Sequence, residues 1–332
     1  MVAANIWRRP WIYVSVSALF LLAGAGFAFQ SWATARDKAI YPIPGRLIDV
    51  GGRRLHLRCE GVGSPMVLMI AGAGSPSVNS YDLQDQIARF TKVCSYDRAG
   101  LGWSDPPPHP MNLRQMATDI HVLMEKSGNR DPAVLVPESF GGTIALEFAT
   151  LYPSRVAGIV AIDATEPSQW HTVTKGLVDE ARWRNILYQA GWRVGLVRLL
   201  LPYNTPGWAD NISKNNRGQF VATWSRPMAS FTHDFTDAYE QTSPDTLPIA
   251  LSGMLGRKPV AVISHGRASG YLARDFEENW EAGQREWLAL SRVSERTIAT
   301  NNTHMIAQEN PSLVAGKVRQ LVMGLRNRKL QP

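Results

Sequence analysis

Cysteine is almost missing from this 332-residue chain, which holds only Cys59 and Cys94. Two cysteines exclude a disulfide-built scaffold and any Cys-rich zinc module. Seven histidines occur, yet none sits in a metal-ligand spacing such as His-Glu-x-x-His, so no metal or other cofactor is expected. There is no internal repeat and no low-complexity segment. Charge is sparse, at 19% of residues against 45% hydrophobic, which excludes wholesale disorder. What charge there is sums to +7 and lies at the ends. Residues 1–40 carry a net +3 and residues 317–332 a net +5, while the body between them is close to neutral at −1. A basic nucleic-acid-binding surface is therefore excluded as well. A body of about 290 residues can bury a full core, as one large domain or a domain with an insertion.

The N-terminus lacks charge altogether between Arg9 and Arg36. Trp11–Phe29 is a run of 19 mostly apolar residues. At 1.5 Å per residue it spans roughly 28 Å, close to a ~30 Å hydrocarbon core. Trp7, Trp11 and Tyr13 at one end and Trp32 at the other suit the two membrane interfaces. The run is long for a secretory h-region, so residues 1–40 are expected to be a single-pass anchor, a helix over about 11–29 followed by a linker. A cleaved signal peptide ending at Ala33-Thr34-Ala35 is the alternative. The body is expected outside the cytoplasm.

From Gly45 onward short strand-like runs alternate with helical stretches. Arg46–Val50 and Arg54–Cys59 surround Gly51-Gly52 and predict a hairpin. Met66–Ile70, Lys92–Tyr96, Ala133–Val136, Val156–Ile162, Pro259–Ser264 and Thr297–Thr300 predict further strands, and Pro311–Leu325 the last helix. Alternation of this kind implies a mostly parallel sheet covered by helices on both faces. Residues 165–257 break the rhythm, with helical pattern and five of the 11 tryptophans, and read as a helical cap inserted between core segments 41–164 and 258–332.

Ser139 follows the apolar run Val134–Val136 and precedes the helical Thr143–Thr150. A serine on a sharp strand-to-helix turn needs small neighbours, which Gly141 and Gly142 supply. The helix N-terminus behind it offers N–H groups to a developing oxyanion. His304 lies in the loop after the last strand, giving the order serine, acid, histidine. His56, His109, His121, His171 and His233 lack such a setting, and His265 follows the penultimate strand. The Gly-rich stretch 72–74 lacks the third glycine and the following acid of a dinucleotide fingerprint.

With Asp97-Arg98-Ala99-Gly100-Leu101-Gly102-Trp103-Ser104 added, residues 45 to about 325 resemble an α/β-hydrolase. The resemblance implies an eight-stranded, mostly parallel sheet, Ser139 as nucleophile, His304 as general base, and the backbone N–H groups of Ala73 and Phe140 as oxyanion hole. Such sites cleave esters and related acyl compounds through an acyl-serine. The acid is expected at Asp163, at the end of the strand after the nucleophile helix. Asp275 and then Glu277, beyond the penultimate strand, are the alternatives. In the family's sheet Cys59 and Cys94 fall on adjacent strands, expected as buried thiols with a disulfide as the alternative. The family's Gly-x-Ser-x-Gly reads Pro137-Glu138-Ser139-Phe140-Gly141 here, and proline adds a ring and removes an N–H at the turn. Glu138 is expected to be solvated or salt-bridged. The expected activity is a membrane-anchored serine hydrolase acting on a small or lipid-like ester, with no cofactor and no nucleic-acid partner. A catalytically degenerate binding or scaffold protein and an acyltransferase are the alternatives. The cap's tryptophans are expected either to line a lid or only to pack the cap.

Overall fold

The computed structural model describes residues 10–166, 169, 175–203, 207–226, 228, 233–241, 252–267 and 274–329. Apolar residues in the strands alternate between two cores. Leu68 and Ile70 of β3 (Val67–Ile70), Leu135 of β5 (Ala133–Pro137) and Ile159 and Ala161 of β6 (Val156–Ile162) face one side. There they meet Met116 and Ile120 of α3 (Leu113–Lys126) and Ile144 and Phe148 of α4 (Gly141–Leu151). Val67, Met69, Val134, Val136, Val160 and Ile162 face the other side, against α2 (Tyr81–Ile87) and α11 (Pro311–Lys329). All four residues of β3 are buried, which is why the strand is a continuous apolar run rather than an alternating one.

The sheet has eight strands in the order β1-β2-β4-β3-β5-β6-β7-β8, the others being β1 (Arg46–Asp49), β2 (Arg54–Glu60), β4 (Val93–Tyr96), β7 (Val260–His265) and β8 (Ser294–Ala299). β1 and β2 form an antiparallel hairpin and β2 pairs antiparallel with β4, whereas every later pairing is parallel. The hairpin turns on Gly51 and Gly52, both at positive φ, with the Asp49 carboxylate accepting from the Gly51 N–H at 2.7 Å. The C-terminal ends of the parallel strands share one edge, and the loops beyond them carry the site.

The elements lie close to where the sequence puts them, with three differences. β8 starts at Ser294 rather than Thr297. It is an edge strand whose first residues, Ser294 and Glu295, are exposed, so polarity hides its beginning. The N-terminal helix α1 runs from Pro10 to Ile40 with no linker. Residues beyond Phe29 are mostly helix formers, and they rest on the helices between β6 and β7. Gln30 donates to the Ser225 carbonyl at 2.8 Å, and Arg198 pairs with Asp37 at 2.6 Å. Finally, Cys59 and Cys94 are joined by a disulfide instead of remaining thiols. The register of β2 on β4 sets these two residues directly opposite one another.

Between β6 and β7 the described residues contain α5 (Lys175–Arg193), α6 (Leu196–Leu200), α7 (Lys214–Trp224) and α8 (His233–Gln241), and no strand among them. Trp192 is fully buried and donates to the Trp224 carbonyl, while the Trp224 indole donates to Asn79 in the core at 2.8 Å. Trp208 packs edge-on against Phe220. Trp183 points outward, 67% exposed, and Trp170 lies outside the described residues. Three of the five tryptophans thus pack this layer and fix it to the core.

The disulfide spans 35 residues of sequence, a separation for which loss of unfolded-chain entropy contributes about 3–4 kcal/mol. The double variant Cys59→Ala/Cys94→Ala is expected to unfold at a lower urea midpoint by about that much stability. Equal midpoints for the two proteins in detergent would show that the bond is dispensable.

Candidate active site

Ser139 stands at the turn between β5 and α4 with φ of +49°. A non-glycine residue held there costs about 1–2 kcal/mol, and Asp163, at φ +41°, is the only other such case among the described residues. The surroundings impose the turn. The Glu138 N–H donates to the Ile70 carbonyl at 3.0 Å and the Ser139 N–H to that of Ile162 at 3.2 Å. The strand end therefore stays bonded to both neighbours despite Pro137. The Ser139 carbonyl accepts from the Thr165 N–H and hydroxyl. A Cβ on Gly141 would fall 2.2 Å from the Ile70 oxygen, and one on Gly142 would fall 2.4 Å from that of Thr165. Only glycine fits at either position.

His304 places Nε2 at 3.0 Å from the Ser139 Oγ and Nδ1 at 2.7 Å from the Asp163 carboxylate. Its loop is held by Glu309, which accepts from the Thr303 N–H and hydroxyl, and Trp280 meets its ring edge-to-face. Asp163 is fully buried at the tip of β6. Of the acids the sequence offers, Asp163 faces His304. Asp275 and Glu277 fall in the first turn of α9 (Arg274–Ala289), with side chains outside the described ones.

One contact has no counterpart in the sequence reading. His265, the last residue of β7, donates its Nδ1–H to the same Asp163 oxygen at 2.6 Å and its backbone N–H to the other at 3.2 Å. The only signal in the sequence was its place after the penultimate strand. Burial alone would push the Asp163 carboxyl up, but hydrogen bonds from His265 and His304 outweigh it and hold the group well below the usual carboxylate range. Burial likewise works to lower the His304 pKa. The hydrogen bond and charge of Asp163 win and raise it above 6.5. With Asp163 ionised, the geometry places the His304 proton on Nδ1 and leaves Nε2 to accept from the serine hydroxyl. The donor atoms of Asp163, His265 and His304 lie within 4.8 Å of one another, close enough for a cation. Both imidazole N–H groups are instead satisfied by donating to the one Asp163 carboxylate oxygen.

The expected oxyanion donors belong to the residue after Ser139 and to the loop after β3. Phe140 is the N-cap of α4. Ala73 sits in the loop after β3, where a Cβ on Gly72 would touch the Ser139 Cβ at 3.2 Å. That loop is held by the Asp97-Arg98 segment. The Arg98 guanidinium donates to the Ala71 and Gly72 carbonyls. The Asp97 carboxylate, wholly buried against His56 at 2.8 Å, accepts from the N–H groups of Ser77 and Trp103. Gly102 is required because a Cβ there would fall 2.1 Å from that carboxylate. Glu138 departs from expectation. It is buried beside Ser80 and Gln308 rather than solvated or salt-bridged, and burial raises its pKa. A polar cavity of about 170 Å³ opens on the Asp163–His265 side, lined also by Trp280, Glu281 and Gln284.

His265 adds positive charge near His304 when both are protonated, which opposes the His304 proton. His265→Leu is therefore expected to move the His304 titration to higher pH, and His265→Asn, equally uncharged, to move it the same way. Histidine-labelled protein followed by ¹⁵N spectra reads this directly. A His304 titration unchanged by leucine would show that Asp163 does not couple the two rings.

Residues 65–185 match the α/β-hydrolase-fold family. A protein of uncharacterised function from Bacillus subtilis, YbdG, is 27% identical over 184 residues, covering 54% of this chain and 57% of its own. The 2-hydroxymuconate semialdehyde hydrolase of Pseudomonas sp. CF600 is 32% identical over 146 residues, covering 43% of this chain and 50% of its own. The chain thus spans about half the length of these curated relatives. Among solved structures, a thermophilic esterase from Thermogutta terrifontis superposes with a TM-score of 0.56 at 16% identity, covering 84% of this chain and 97% of its own. At that identity the likeness speaks to the fold alone. From strand order, elbow and family match together, the chain has the α/β-hydrolase fold, and its residues 65–185 carry that family's sequence pattern.

Proposed function

We propose that this chain is a serine hydrolase that cleaves a small or lipid-like carboxylic ester through an acyl-Ser139 intermediate. The observation that carries the reading is the run Ser139–His304–Asp163, with successive contacts of 3.0 and 2.7 Å. Ser139 Oγ attacks the ester carbonyl carbon as His304 Nε2 takes its proton. The oxygen that gains the charge lies toward the N–H groups of Phe140 and Ala73, at the positive end of α4. The imidazolium then gives its proton to the departing alkoxide, leaving the acyl group on Ser139. Water, deprotonated in turn by His304, attacks that carbonyl, and the carboxylic acid leaves as Oγ regains a proton. Asp163 stays ionised throughout and holds the ring. A hydrolase is also what one curated relative is named, the 2-hydroxymuconate semialdehyde hydrolase.

The reading extends to the rest of the chain. Residues 165–257 form a cap over the strand ends, on core segments 41–164 and 258–332. α1, which is long and apolar enough to cross a membrane, anchors the protein with its body on the extracytoplasmic side. The disulfide supports that side, because such bonds persist in oxidising compartments.

Ser139→Ala is expected to lower turnover of short p-nitrophenyl esters by a factor on the order of 10⁴ or more while leaving the circular dichroism spectrum unchanged. A fluorophosphonate should label the parent protein and not this variant; equal turnover in both would sink the assignment. The pH profile follows from His304. Only the neutral ring accepts the serine proton, so activity falls as pH drops through its pKa, which lies above 6.5. The acid limb of kcat/KM should accordingly have its midpoint above pH 6.5, and a midpoint below that value would contradict the role given to Asp163.

A further inference from the structure

Helix α5 has a buried face and an exposed apolar one. Val178, Asn185 and Trp192, seven residues apart, are buried against the rest of the molecule. Trp183, Ile186 and Leu187 lie on another face, spaced as neighbours on a helix surface, and they are 67%, 53% and 70% exposed. The exposed apolar surface continues through Val194 into α6, with Leu196, Leu199 and Leu200. Large side chains clustered this way on a soluble surface mark an interaction site.

Two observations say what covers this face. The first is its continuity with α1. The Gly26 backbone lies against Val194, where a Cβ would meet the Val194 carbonyl oxygen at 2.5 Å. A Cβ on Gly195 would touch the Phe29 ring at 3.0 Å. Phe29 ends the uncharged apolar run of α1, and beyond it Arg36 lies over the Trp32 ring and Asp37 pairs with Arg198. The end of the apolar run and the α5–α6 junction are therefore level. Apolar side chains of α1 such as Leu19, Phe20, Leu21 and Leu22 are exposed just as those of α5 are. The second observation is charge. Residues 182–203 contain four arginines and no acid, and Arg184 and Arg193 are exposed beside the apolar stripe. Apolar faces edged by arginine suit the boundary between acyl chains and anionic headgroups.

We propose that the Trp183–Leu200 face of α5 and α6 is a second membrane contact, seated in the headgroup boundary of an anionic lipid bilayer beside α1. The cap then lies on the membrane rather than facing water, and lipid-phase esters are presented to the layer that covers the strand ends. The proposal rests on reading α1 as a membrane span, and the experiment below separates the two.

The full chain is reconstituted in vesicles of phosphatidylcholine and phosphatidylglycerol, with an environment-sensitive fluorophore on one introduced cysteine. Three positions are compared: Leu187→Cys on α5, Leu21→Cys on α1, and Val62→Cys, an 86% exposed site in the core domain. Some phosphatidylcholine is replaced by molecules carrying a nitroxide near the headgroup end of an acyl chain. Position 187 is expected to lose emission as position 21 does for lipid contact, while position 62 keeps its own. Quenching at 21 without quenching at 187 overturns the cap contact and leaves the anchor standing. A blue-shifted but unquenched signal at 187 means that protein, such as a second copy of the chain, covers the face, and also overturns the proposal. Absence of quenching at both 21 and 187 removes the anchor itself. Arg184→Glu/Arg193→Glu should weaken the quenching at 187 in these vesicles, and unchanged quenching there would overturn the anionic-headgroup assignment.

Discussion

A single buried negative charge organises the candidate site of this molecule. Asp163 sits at the tip of β6, out of water and in a backbone conformation that disfavours any side chain. An isolated carboxylate in such a place would take up a proton, since burial penalises the charged form. Three N–H groups, two from His265 and one from His304, keep it ionised. These donors come from β7 and from the loop after β8, so the charge also ties together three consecutive parallel strands at the end where the site lies. The orientation of His304, the tautomer it adopts and the direction in which it faces Ser139 all descend from that one ion.

The other half of the site is built without titration. Arg98 grips the carbonyls of the loop after β3, and Asp97 accepts from the Ser77 N–H farther along that connection and from the Trp103 N–H in the turn that follows β4. Two adjacent residues of opposite charge thus fix two loops by their backbones. The elbow is secured similarly, by carbonyl and amide contacts between the turn at Ser139 and the strand ends on either side. The bonds that tie this turn to the neighbouring strand ends are made by Glu138 and Ser139, after Pro137.

Much of this was legible in the sequence because it is local. Continuous apolar runs marked strands buried on both faces, and Ser139, with its glycines, marked a strand-to-helix turn within a few residues. Asp163 was within reach because it ends an apolar strand at a place where the family resemblance allows an acid, with Asp275 and Glu277 as the alternatives. His265 could not be understood that way. It is 102 residues from Asp163, and nothing in its own neighbourhood announces a carboxylate on the next strand. Glu138 was misjudged for the same reason, as its burial depends on Ser80 and Gln308, far away in the chain. The disulfide turned on the pairing register of β2 with β4, a matter of one residue that composition does not encode. The extent of α1 was missed because its last eleven residues, polar and helical, are supported by packing on α5 and α7 rather than by an apolar pattern of their own.

That helix has a mechanical consequence. Because α1 enters the body as one continuous helix, with Gln30, Ala33 and Asp37 seated against the layer above the sheet, stem and head are joined by packed helix and not by a linker. A head on a string tumbles and samples every direction; a head on a stem keeps one bearing and turns only about the axis of its support. Whatever fixes the tilt of α1 therefore also aims the mouth of the site.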